Sequence, residues 1–173
     1  MCANALENER IGGYGRTVEI DDNLFLFNND ARKNRNPITC RVFGGVDTES
    51  LNSFVVYLSD ENRNCSSLES LIVKHVSPGT TICYKRKKGY KNISSLRSSQ
   101  GYSMNYSANT SSHYNLCEQL WEDLKCNVRR KGLHSTGVEN YINRYMFYRK
   151  HPENTLHNFL LQISLSFPLS RVN

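Results

Sequence analysis

Acidic residues are missing from one long stretch of this 173-residue sequence: none occurs between Glu69 and Glu118. Any chemistry that needs a carboxylate from that stretch is excluded. Long apolar runs are missing too. None approaches the roughly 20 residues of a membrane-spanning helix, and MCANALENERIGGYG has no basic segment followed by an apolar one. The expectation is an intracellular protein without membrane association, nuclear in a eukaryotic cell. Cys2, Cys40, Cys65, Cys83, Cys117 and Cys126 form no C-x-x-C pair and no cluster with histidine. They read as reduced, mostly buried thiols, not as a disulfide framework or a zinc site. Apolar residues make up 38% and charged residues 22%, a globular composition of a length that suits one domain.

What is present in excess is positive charge, and it is concentrated. Residues 79 to 97 hold six basic residues and no acid; residues 125 to 150 hold seven and one acid, Glu139. These windows together carry +12, and because the whole chain carries +6, the remainder must be −6. Basic surface confined to two stretches of an otherwise acidic chain suits a polyanion such as nucleic acid.

Periodicity gives the elements. Thr17 to Ile20 is a short β-branched run ending in Asp21 and Asp22, which predicts a strand with acids at its carboxyl end. A polar stretch from Asn28 to Asn36 follows. Cys40 to Val46 and Ser53 to Ser59, separated by Asp47 to Asn52, predict a hairpin. Ser66 and Glu69 have capping-box spacing ahead of Leu71, Ile72 and His75, a helix stopped by Pro78-Gly79. Thr80 to Tyr84 and Gly101 to Tyr106 are further strand candidates. From Ser112 the pattern is helical, with Cys117, Leu120, Trp121, Leu124 and Val128 on one face. A second helix over Val138 to Tyr148 presents Tyr141, Ile142, Tyr145 and Tyr148 alike, and a third is predicted over Glu153 to Leu165. Three strands, a helix, two strands and further helices describe an α/β sheet that begins with antiparallel pairing and continues through crossovers.

Several blocks carry a family resemblance: IGGYGRTVEIDD (Ile11 to Asp22), RVFGGVD (Arg41 to Asp47), SPGTTI (Ser77 to Ile82), NYS (Asn105 to Ser107) and HYNLCEQLWEDLK (His113 to Lys125). Together with RRKGLH (Arg129 to His134) and YINRYMFYR (Tyr141 to Arg149), they resemble, in order, the ISXO-type insertion-sequence transposase domain and its eukaryotic relatives, the Merlin DNA transposons. The resemblance covers residues 11–150, leaving 1–10 as an amino-terminal tail and 151–173 as a carboxyl-terminal helix and tail. It implies an α/β fold with an RNase H-like mixed sheet flanked by helices, and a DDE-type strand-transfer site. In such sites carboxylates hold Mg²⁺ ions that activate the attacking oxygen and stabilise the leaving one.

Carried over residue by residue, Asp21 matches the first acid and Glu118 the third; His113, Asn115 and Trp121 match motif positions. The second acid is missing. Lys85, in CYKRKKGY, stands where the family has an aspartate, and no shift of alignment supplies one. An ammonium offers no lone pair and repels metal ions. Glu69 is the remaining acid that can be entered as an extra ligand beside Asp21 and Glu118, although its capping-box position already gives it a role. The segment before His113 is also shorter than the family's.

Without the resemblance, Asp21 and Asp22 would simply open a turn, Glu118 would be a solvated carboxylate, His113 and Asn115 would be caps, and Trp121 a core anchor in any case. Three functions remain open. One is an active Mg²⁺-dependent cut-and-paste transposase. Another is a degenerate copy that binds DNA, transposon ends or non-specific, through Lys85, Arg86, Lys87, Lys88, Lys125, Arg129, Arg130 and Lys131, with metal binding weak or absent. The third is a non-catalytic protein-interaction module. A homo-oligomer is compatible with each.

Overall fold

β-Branched residues open the first strand, and pairing then carries it further than they predict. In the computed structural model, which describes residues 10–27, 38–58, 65–84, 101–106, 116–131 and 137–166, strand β1 spans Thr17–Phe27. Asp21 and Asp22 therefore lie mid-strand. The cause is β2 (Ile38–Asp47), which runs antiparallel beside β1 from the Val18–Asp47 pair to the Phe27–Ile38 pair. On its other side β1 pairs in parallel with β4 (Thr81–Tyr84) only from Thr17 to Ile20. The expected strand end at the acids holds for one edge of β1 and fails for the other.

β3 (Ser53–Leu58) forms the predicted hairpin with β2, and β5 (Ser103–Tyr106) lies parallel to β4. The sheet order is β3-β2-β1-β4-β5, a mixed sheet. Helix α1 is Cys65–His75, α2 Leu116–Lys131, α3 Val138–Lys150 and α4 Thr155–Ser166. α1 already includes Cys65, so Ser66 falls inside its first turn instead of preceding it as a cap.

The two-residue period of the strands divides the core. Val18 and Ile20 of β1 join Phe43, Phe54 and Ile82 beneath Leu68 and Ile72 of α1. On the other face Phe25, Val42 and Val55 pack under Leu120, Trp121 and Leu124 of α2 and Ile142 and Met146 of α3. Helices thus cover both faces, α1 on one and α2 with α3 on the other. Tyr148, expected on the apolar face of α3, is 40% exposed, with the Arg144 guanidinium 5.4 Å from its ring centre. Phe159 of α4 meets Phe147 of α3 edge-on at 6.2 Å. Among the described residues no helix is long and apolar enough to cross a membrane.

Two of the quoted sequence blocks turn out to hold each other. Gly13 N–H donates to Thr80 Oγ1 at 2.8 Å, and Ile11 bridges Val76 through its backbone. Gly12, at φ 82°, lies so close that a Cβ would stand 2.5 Å from Thr80 Oγ1. The glycines of IGGYG let that loop close on SPGTT. Among the described residues Cys40, Cys83 and Cys117 are buried, Cys126 is exposed, and none is in a disulfide; burial pushes the Cys40 pKa up to about 11, which disfavours its thiolate.

Asp47 fastens the β2–β3 turn. Its Oδ1 accepts the N–H groups of Glu49 at 3.0 Å and Ser50 at 3.2 Å, and Arg16 Nε lies 3.0 Å from Oδ2. Burial by itself would raise the pKa, yet the two N–H donors and the guanidinium outweigh it and hold the carboxyl below its ordinary value. A lowered pKa contributes stability in full above the ordinary aspartate value, near 4, and loses it as pH falls through the lower folded value. Asp47→Asn should therefore be less stable at pH 7 by about 1–3 kcal/mol and decline less steeply in acid. Urea midpoints measured across pH 2 to 7 check this, and an unaltered acid limb would remove Asp47 from the balance.

Candidate functional site

Odd-numbered residues of β1 face α2, which directs Glu19 and Asp21 toward that helix. The Trp121 indole N–H donates to Asp21 Oδ2 at 3.1 Å, and both residues are buried. Asp21 pairs in register with Gly44 of β2, and the indole lies over that glycine. A Cβ on Gly44 would stand 2.8 Å from the Trp121 ring and 2.6 Å from the Phe54 carbonyl oxygen. The edge of the aromatic cluster is completed by Phe25, 6.0 Å from Trp121 at 74°. Three of the quoted blocks, IDD, FGG and LWEDL, thus meet at one point.

A second carboxylate on the same face was not singled out from the sequence. Glu19 is 4% exposed. Its Oε2 accepts the backbone N–H of Leu116, the first residue of α2, at 3.1 Å, and its carbonyl accepts the Cys117 thiol at 3.3 Å. A carboxylate at a helix start satisfies an orphan donor and meets the positive end of the dipole. The signal available was alternation in TVEIDD, which places Glu19 on the same side as Asp21.

Glu118 follows Cys117 on α2, one turn before Trp121, and is exposed. The strand and helix therefore bring Asp21, Trp121 and the Glu118-bearing turn to one junction. Glu69 belongs to α1, whose apolar residues pack on the opposite face of the sheet. Among the described residues no group of three or more His, Cys, Asp or Glu is gathered so as to hold a metal ion. One oxygen of Asp21 takes the indole N–H. The described residues therefore do not supply the gathered oxygen ligands of a two-ion Mg²⁺ centre.

β4 ends at Tyr84, paired with Ile20, the residue before Asp21. Lys85, Arg86, Lys87, Lys88, His113 and Asn115 lie outside the described residues, as do the side chains of Arg129, Arg130 and Lys131 at the end of α2. Lys125 Nζ meets Glu122 at 2.8 Å and stands 5.4 Å from the Phe25 ring centre. This pair is exposed and contributes little stability.

No family model matches the sequence, and no curated protein sequence matches it significantly. Solved structures do resemble the fold. The BIV integrase catalytic core domain superposes with a TM-score of 0.54 at 12% identity, over 76% of this chain and 81% of that one. The HTLV-2 integrase catalytic core domain, determined in complex with magnesium in a dimeric form, gives 0.53 at 13%, over 83% and 86%. At these identities the likeness concerns the fold, and the mixed five-stranded sheet flanked by helices is RNase H-like.

Trp121→Phe keeps a ring over Gly44 and removes the N–H, leaving a buried oxygen short of a donor. The expected loss is about 1–3 kcal/mol, read by urea denaturation followed by circular dichroism. Gly44→Ala should cost a similar amount by overpacking, about 1–3 kcal/mol. If both variants match the parent protein, this junction does not hold α2 on the sheet.

Proposed function

We propose that the chain is an RNase H-like domain of Merlin/ISXO transposase type that binds DNA and does not cut it. The convergence of IDD, FGG and LWEDL at Asp21, Gly44 and Trp121 carries the reading. Blocks that match a family in sequence order have a physical reason to occur together when their residues touch. Integrase catalytic cores supply the fold-level parallel.

The loss of cutting rests on the donor set. Two-metal strand transfer needs hard oxygen ligands from several elements, and this sequence places Lys85 at the second acid's position with no acid between Glu69 and Glu118. Asp21 meanwhile serves the packing of Trp121. DNA binding rests on the two basic windows. Their contacts are with phosphates, so affinity is weakly dependent on base sequence and falls steeply with salt as counterions are released.

Replacing Arg129, Arg130 and Lys131 with Ala should flatten the plot of log K against log salt by roughly 0.9 for each phosphate no longer neutralised, measured by filter binding to duplex DNA. An unchanged slope would take this surface out of the interface. The parent protein should not nick transposon-end DNA in Mg²⁺ or Mn²⁺; Mn²⁺-dependent nicking that disappears in Asp21→Ala would overturn the inactive assignment.

Lys85→Asp restores the family's acid. In that variant Tm should rise on adding Mn²⁺, through linkage of metal binding to folding, while the parent's Tm stays unchanged. A Lys85→Asp protein indifferent to divalent metal would count against the alignment of Lys85 with the second acid.

A further inference from the structure

The sheet ends at β3 on one side, and among the described residues nothing pairs with its outer edge. SFVVYL contains no charge and no proline, and its register with β2 is unbroken from Ser53 to Leu58. It therefore lacks the charged side chains, prolines and bulges by which edge strands turn other strands away. Along it lies a cavity of about 270 Å³. Consecutive residues from Ser53 to Tyr57 line this cavity, and because they alternate between the two faces of the sheet, it sits at the edge itself.

Helices wall the groove on both sides. Leu71 of α1 and Met146 of α3 provide apolar surface, and the Phe54 ring is stacked on His75 at 4.8 Å and 11°. Charge around the groove is uneven. Among the described lining residues Arg10, Lys74, Arg149 and Lys150 are exposed cations and Glu139 the acid, with Arg149 also paired to Asp123 just outside the groove. The Arg149 guanidinium is fixed at the start of β3, donating from Nε to Ser53 Oγ at 3.0 Å and from NH1 to Asp123 Oδ2 at 3.3 Å.

We propose that this groove takes up an extended acidic peptide segment of a partner protein as a sixth strand on β3. The backbone edge, which no described strand pairs, supplies main-chain hydrogen bonds, and the side chains of an added strand alternate between a wall bearing Lys74 and one bearing Arg149 and Lys150. β3 offers about 20 Å of edge, the length of six extended residues. A strand edge between apolar walls favours peptide over nucleic acid, whose phosphates use the cations and neither of the other two features. The inference goes beyond DNA binding and does not depend on it.

The test is calorimetric titration of the full chain with a capped Glu-Glu-Val-Val-Glu-Glu peptide, which presents acidic and apolar groups on both faces. Saturable binding is expected. It should weaken about tenfold, ~1.4 kcal/mol, when alternate peptide amides are N-methylated. A similar loss is expected in a Lys74→Glu, Lys150→Glu double variant with an unaltered circular dichroism spectrum. Equal affinity of the N-methylated peptide would reduce the effect to charge and overturn strand addition. Absence of binding overturns it too, as does equal binding of the peptide with lysine in place of glutamate. If the double variant loses affinity for a DNA duplex and not for the acidic peptide, the groove belongs to nucleic acid.

Discussion

The hydrogen bond from Trp121 to Asp21 determines where the longest described helix sits. An indole N–H buried without an acceptor is costly, about 1–3 kcal/mol on mutational scales, so Trp121 enters the core only where Asp21 waits for it. Asp21 in turn belongs to a strand paired on both sides, and Gly44 beside it leaves the space the ring occupies. Glu19 adds a second attachment at the start of α2. Between the two attachments β1 advances two residues, about 7 Å, and α2 five residues, from Leu116 to Trp121, about 7.5 Å. Leu120 and Leu124 then reach the layer that α3 shares.

This arrangement gives Asp21 a role in seating Trp121. On the proposed reading Asp21 would match a metal-binding acid, whose oxygens face ions. Here one oxygen accepts the indole N–H. On the proposed reading, which aligns Lys85 with the second acid, the packing role of Asp21 is the one left to it.

Much of the fold was legible because it is written in local periods. The three-four spacing of Cys117, Leu120, Trp121 and Leu124 located α2 and its buried face, and the Asp47 to Asn52 stretch located the hairpin turn. What escaped depended on distant partners. β1 runs on past Ile20 because β2 pairs with it there, and no propensity within NLFLF announces that neighbour. Glu19 read as one charge inside a β-branched run; its role appears only beside Leu116, far along the chain. At the site, Asp21 and Trp121 were each singled out, whereas the bond joining them has no linear signature. The β3 groove is the extreme case, since Arg10, Lys74 and Arg149 come from three separate segments and converge only in the fold.

Trp121 is the only tryptophan in the chain. Its emission therefore arises from a single indole, seated between Gly44 and Phe25 and bonded to a carboxyl oxygen. Emission wavelength responds to the polarity and charge near the indole nitrogen, and here that neighbour is Asp21 itself. The molecule carries a built-in optical probe on its most informative side chain, with no second indole to contribute. Ion binding or displacement at Asp21 can be followed in the unmodified protein by the emission of this indole.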